Sequence, residues 1–160
     1  MQRPTHEVEY EQMLLSRHTF LSRRGGRRTD ALLERSAYIL LSRIRVQGPM
    51  SIGELSDAFG LDASTLNRQT AAAVRAGLLS RIPDPEGGMA RKFRLTTQGE
   101  RLLDEERRGI VEVLDRVMAD WSQDDITAFA SYLKRFNNGI EAIGGRPWPR
   151  PSSQDDETDG

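Results

Sequence analysis

The sequence predicts a mainly α-helical fold that carries one small β-hairpin. Three observations predict it. Ala, Leu, Arg and Glu dominate the composition, whereas aromatic residues make up 6% and runs of strand-favouring residues are scarce. Apolar residues recur at three-to-four spacing over most of the chain. Around residues 78–96 the spacing changes to a short alternating pattern interrupted by a glycine-rich tip.

The first helix is expected over residues 5–22, with Val8, Met13, Leu14 and Leu21 as its apolar stripe. Gly25 and Gly26 stop it, inside the basic run Arg23, Arg24, Arg27 and Arg28. A second helix starts at Asp30, a residue with N-cap chemistry. It places Leu33, Ala37, Leu40, Leu41 and Ile44 on one face and ends at Gly48 and Pro49. Ser51 and Glu54 then form a capping box for a short helix whose buried face is Ile52, Leu55 and Ala58, with Gly60 as its C-cap. Asp62 or Ala63 opens another helix, which runs to Ala76 and is closed by Gly77. Residues 78–83 and 90–96 read as two strands around the tip Asp84-Pro85-Glu86-Gly87-Gly88. A long helix begins near Thr97 and ends near Trp121. Ser122 caps a last one, with Ile126, Phe129, Leu133, Phe136 and Ile140 as its stripe.

Residues 5–144 are expected to form one domain: N-terminal helices (5–47), a helix-turn-helix with a wing (51–96) and C-terminal dimerisation helices (97–144). Residues 145–160, rich in Gly, Pro, Ser and acidic side chains, are expected to be a disordered acidic tail.

Several function classes are disfavoured. With no cysteine, disulfides and thiolate metal sites are excluded, which fits a reducing compartment such as the cytoplasm. No stretch approaches the roughly 20 apolar residues that span a bilayer, so no membrane partner is expected, and the polar residues 1–12 do not read as a signal peptide. His6 and His18 are far apart and lack carboxylate or thiolate company, so no metal site is read. Glu105 and Glu106 followed by Arg107 and Arg108 are ordinary helix-surface charge. No nucleophile–base pair and no phosphate-cradling glycine loop is present, so neither an enzyme nor a cofactor is expected.

Two short helices followed by a hairpin make the plan of a winged helix-turn-helix, in which the second helix enters a DNA major groove and the wing lies beside it. That second helix turns Leu66 and Ala73 inward. Ser64, Thr65, Asn67, Arg68 and Gln69 are left outward, a set of hydroxyls, amides and one guanidinium suited to base edges and phosphates. The formal net charge of −1 argues against nucleic acid until its distribution is considered. Over residues 62–96, Arg68, Arg75, Arg81, Arg91, Lys92 and Arg94 outnumber Asp62, Asp84 and Glu86, and the excess acid lies elsewhere, including the tail. The candidate DNA-binding residues are therefore Ser64, Thr65, Asn67, Arg68, Gln69, Arg75, Arg91 and Lys92. For Arg81, an ion pair with Asp84 and a phosphate contact stand equal. The run Arg23–Arg28 reads as a solvated linker.

The order of elements resembles that of the multiple-antibiotic-resistance regulator (MarR) family. So does the stretch from Ser64 to Arg81, with its Ser-Thr-Leu-Asn-Arg and Ala-Gly-Leu-Leu segments, and the junction Leu95-Thr96-Thr97-Gln98-Gly99. The resemblance implies dimerisation through the terminal helices and repression released by a small ligand. Its partners would be double-stranded DNA, a second copy of the chain and a small-molecule effector. Two positions depart from the family pattern. Gly87, Gly88 and Met89 occupy the wing tip, where the family often has an acidic residue followed by arginines. Gln69 and Thr70 stand where apolar residues are expected. Tyr10, Phe20, Tyr38 and Trp121 are equally pocket-lining or core residues. The competing readings are a winged-helix protein-interaction module, favoured by the missing tip arginine, and a ligand-sequestering helical dimer.

Overall fold

A computed structural model describes residues 3–18 and 33–152. In chain order the elements are α1 (Thr5–Arg17), α2 (Arg35–Gln47), β1 (Met50–Ser51), α3 (Ile52–Phe59), α4 (Ala63–Arg75), β2 (Leu79–Ile82), β3 (Lys92–Leu95), α5 (Thr97–Val117) and α6 (Gln123–Gly144). The winged helix-turn-helix is present, and its wing is one strand richer than the expected hairpin. β3 is the centre of a three-stranded antiparallel sheet, pairing with β2 on one edge and β1 on the other. Met50 opposes Phe93 and Leu79 opposes Leu95. Two residues are too few for an alternating pattern to register, and Ser51 also serves as the N-cap of α3, so the sequence displays the cap and hides the strand.

The core sits where α2, α3, α4, the sheet and the start of α5 converge. Leu40, Leu41, Ile44, Met50, Leu55, Leu66, Leu79, Phe93 and Leu103 are all buried in it. Leu33 is buried there too, but it precedes its helix. Glu34 is extended and α2 starts at Arg35, later than the expected start at Asp30, which lies outside the described residues. The first helix also stops early. His18 is extended, its N–H bonded to the Leu15 carbonyl at 3.1 Å, so the helix ends at Arg17 rather than near Ser22. The glycines and arginines of residues 23–28 lie outside the described residues.

α5 ends at Val117, before Trp121, whose ring meets Phe129 edge-on at 5.3 Å. Ser122 caps α6 as expected, its Oγ accepting the Asp125 N–H at 3.1 Å. Of the expected disordered tail, residues 146–152 are among the described residues and have defined partners. They return toward α2 and α3, and Trp148 meets Phe59 edge-on at 5.2 Å. Composition averages over a segment, and one tryptophan set among Pro147, Pro149 and Pro151 outweighs it: the ring has an apolar partner, and prolines lose less entropy on ordering. The acidic residues of 155–159 lie outside the described residues.

Candidate nucleic-acid interface

The interface begins with the turn that aims α4. Ser51 Oγ accepts the Glu54 N–H at 3.2 Å and fixes the start of α3. Gly60 ends that helix in the left-handed region at φ 63° and ψ 34°, where a side chain would be strained. Ser56 Oγ donates to the Leu61 carbonyl at 2.5 Å and tightens the same turn. Asp62 is extended, and its carbonyl accepts the N–H groups of Thr65 and Leu66 to start α4.

Leu66, Thr70 and Ala73 are buried and form the inner face of α4. Thr70 is tolerated because its hydroxyl is satisfied: Oγ1 donates to the Leu66 carbonyl at 2.7 Å and lies 3.2 Å from the Asn67 carbonyl. The departure from an apolar residue is thus accommodated inside the helix. Helical spacing puts Ser64, Asn67, Arg68 and Arg75 on the opposite face, and all four are exposed. Thr65 and Gln69 flank that face and are half-buried. Arg68 Nη2 donates to Thr65 Oγ1 at 3.3 Å, so two candidates on successive turns are in contact. No acidic residue occurs anywhere in α4.

The wing candidates separate. Arg91 is exposed. Lys92 turns back toward the protein, with its side chain only 16% exposed. Its Nζ lies 3.0 Å from Glu54 Oε1 and 3.7 Å from Asp84 Oδ1. The hydrogen bond to Glu54 is the main reason its pKa is raised. The cation anticipated for phosphate therefore ties the wing to α3. Asp84 also accepts the Glu86 N–H at 2.9 Å, while Arg81 lies over the Phe93 ring at 5.7 Å. Arg94 was not among the candidates, yet it is exposed and reaches Ser80 Oγ at 3.4 Å. Its place is read from register: it alternates with the buried Phe93. At the tip, Met89 is fully exposed.

One junction holds α4, the wing and α5 together. Thr96 Oγ1 donates to the Gly77 carbonyl at 2.6 Å and accepts the Gly99 N–H at 3.0 Å. Gly99 packs so closely on the Leu78 carbonyl that a Cβ there would collide with it. The Leu-Thr-x-x-Gly pattern noted in the sequence is this contact. Among the described residues, no cluster of His, Cys, Asp or Glu is arranged to hold a metal ion, and no helix is long and apolar enough to cross a membrane.

Residues 33–87 match the model of the MarR family. Over 139 residues the chain is 34% identical to the uncharacterized HTH-type transcriptional regulator YxaD of Bacillus subtilis (strain 168), covering 87% of this chain and 96% of that protein. Its fold is similar to that of a MarR family protein from Bacillus stearothermophilus, with a TM-score of 0.70, 23% identity, and coverage of 88% of this chain and 99% of that one. It is also similar to PcaV, a transcriptional regulator from Streptomyces coelicolor solved in complex with its natural ligand, with a TM-score of 0.62, 21% identity, and coverage of 88% and 98%.

Proposed function

Since the chain belongs to the MarR family of transcriptional regulators, we propose that it acts as a homodimeric, ligand-responsive repressor on a pseudo-palindromic DNA site. The observation that carries this reading is the division of α4. One face is locked into the core by Leu66, Thr70 and Ala73, and the other presents Ser64, Asn67, Arg68 and Arg75 with no carboxylate within the helix itself. Such a face suits a major groove, where a guanidinium can take the two acceptors of guanine and amides can pair with adenine. Thr65 and Gln69 flank the groove contact, Arg75 and Arg91 reach phosphate, and Arg94 joins them. Lys92 belongs to the wing's scaffold.

The homodimer is supported by the terminal helices. Neither α1 nor α6 carries a buried residue, yet Val8, Tyr10, Met13 and Leu15 on α1 and Phe129, Phe136, Ile140 and Ile143 on α6 are exposed. Exposed large apolar side chains gathered on two helices in this way are the mark of an interface. Two-fold symmetry then sets the two α4 helices about 34–36 Å apart, one turn of DNA. The ligand response draws support from PcaV, whose structure holds a natural ligand. An effector acts here by binding better to the spacing that does not fit DNA.

The test is a titration of the protein against the DNA upstream of its own gene, with Arg68→Ala beside the parent. The expected loss is about 1–3 kcal/mol of specific binding. Equal affinity of the parent for that DNA and for bulk DNA at every salt concentration would overturn the reading. It would favour a protein-interaction module, the alternative that the inward-turned Lys92 and the tip without arginine support.

A further inference from the structure

α6 ends at Gly144, and Gly145 at φ 67° reverses the chain. The segment that follows is fastened at both ends. On the α6 side the anchor is Glu141. Its Oε2 accepts the Trp148 N–H at 3.0 Å and an Arg150 Nη1–H at 3.0 Å, and its Oε1 lies 2.7 Å from Arg150 Nη2. This is a two-pronged guanidinium–carboxylate pair closed over a backbone bond. On the helix-turn-helix side the Trp148 ring meets Phe59, the last residue of α3, and the Arg43 guanidinium of α2 lies 4.5 Å over the same ring. Arg146 lies against Gly60, so close that a Cβ there would sit 2.8 Å from the guanidinium carbon.

Arg43 makes the tryptophan more than a cover. It is only 7% exposed. Its Nε–H is taken by Gln47 Oε1 at 2.9 Å, but its Nη1 has no hydrogen-bond partner. The electron-rich face of Trp148 is what meets this buried cation. Phe59 and Gly60 belong to the turn from which α4 departs, so the segment is fastened at a place where a shift redirects that helix.

The geometry points to residues 146–150 as a strap that sets the angle between α6 and α4, with Trp148 as a positioning residue for DNA binding. The strap rests on the reading of α4 as the DNA-contacting helix. Released, the two helices keep their own structures and lose their fixed relation, and the DNA-competent arrangement becomes one of several.

The natural chain has no cysteine, so Ala72→Cys on α4 and Lys134→Cys on the polar side of α6 provide the two labelling sites. Spin labels there report the α4–α6 distance within one chain when labelled protein is diluted with unlabelled. The full-length parent should give one narrow distribution. Trp148→Ala should broaden it and weaken binding to DNA at least about fivefold. Trp148→Phe, which keeps a ring for Phe59 and Arg43, should restore both. Arg150→Gln, which opens the anchor from the exposed side, should broaden the distribution without touching the core and decides the matter if Trp148→Ala does not fold. An unchanged distribution in the folded variants would overturn the strap, whatever happens to the melting temperature. A parent that binds no DNA would fail the reading of α4 alone, and the distances would still judge the strap.

Discussion

The winged helix-turn-helix and the terminal helices use apolar residues in opposite ways. Between Leu33 and Leu103 most large aliphatic side chains are spent on the chain's own core, with Leu40, Leu41, Leu55, Leu66 and Leu103 fully buried. On α1 and α6 comparable side chains remain exposed, up to Ile143 at 92%. The periodicity is the same in both regions and the outcome differs. A three-to-four stripe says that a helix face will be covered, and it does not say by which chain. The contrast is that the apolar faces of the winged helix-turn-helix are covered within the chain itself, whereas those of α1 and α6 are not, which is what the proposed dimer would complete.

The strongest way to break this comparison is Phe136→Glu. Placing an unpaired carboxylate in a two-fold apolar interface should cost about 3–5 kcal/mol of association. The expected result in sedimentation velocity is a monomer at concentrations where the parent is a dimer. A variant that stays dimeric would show that α6 does not form the interface. Next in size is Leu66→Ala, on the buried side of α4. It should cost about 2–4 kcal/mol in urea denaturation, by lost burial and the cavity left behind. It should leave the association of folded protomers as it was, and a weakened dimer would mean that the two regions are not energetically separate.

The smallest effect sharpens the boundary between the regions, where Glu141 holds the strap. Its hydrogen bond with Arg150, then the Trp148 N–H, lower its pKa below the ordinary 4.5, with the Arg43 charge adding to them. A carboxylate with a lowered folded-state pKa stabilises in full above the unfolded value and loses that contribution as pH falls through the folded one. The fluorescence of Trp148, recorded in a Trp121→Phe background, should therefore hold steady down to about pH 4.5 and shift below it. Glu141→Gln should abolish the step, and a step that survives would assign it to another group.

The features legible in the sequence were those that neighbouring residues determine. Ser51, Gly60, Ser122 and the inward Leu66 each follow from residues within a turn or two, and the structure places each as its local chemistry requires. The features that escaped depend on partners far along the chain. β1 exists because Met50 meets Phe93. Lys92 turns inward because Glu54 is there to receive it, and Trp148 is ordered because Phe59 and Arg43 wait at the other end of the domain. For the candidate DNA contacts, the sequence marked the face of α4 through periodicity and residue type. On the wing it counted cations, and counting cannot distinguish a free one from one already paired.

The junction at Thr96 and Gly99 has a mechanical consequence. The Gly77 carbonyl just after α4 and the Leu78 carbonyl are pinned to the first turn of α5, which couples the end of one helix to the start of the other. α5 has 21 residues, and at 1.5 Å per residue it is a rod of about 31 Å. Pivoting such a rod by only about 5° swings its far end through roughly 2.7 Å. A stiff arm with a short weld thus exchanges small rotations for ångström-scale travel. A force that tilts α5 at the end remote from this junction would be passed to α4 as a change of its angle.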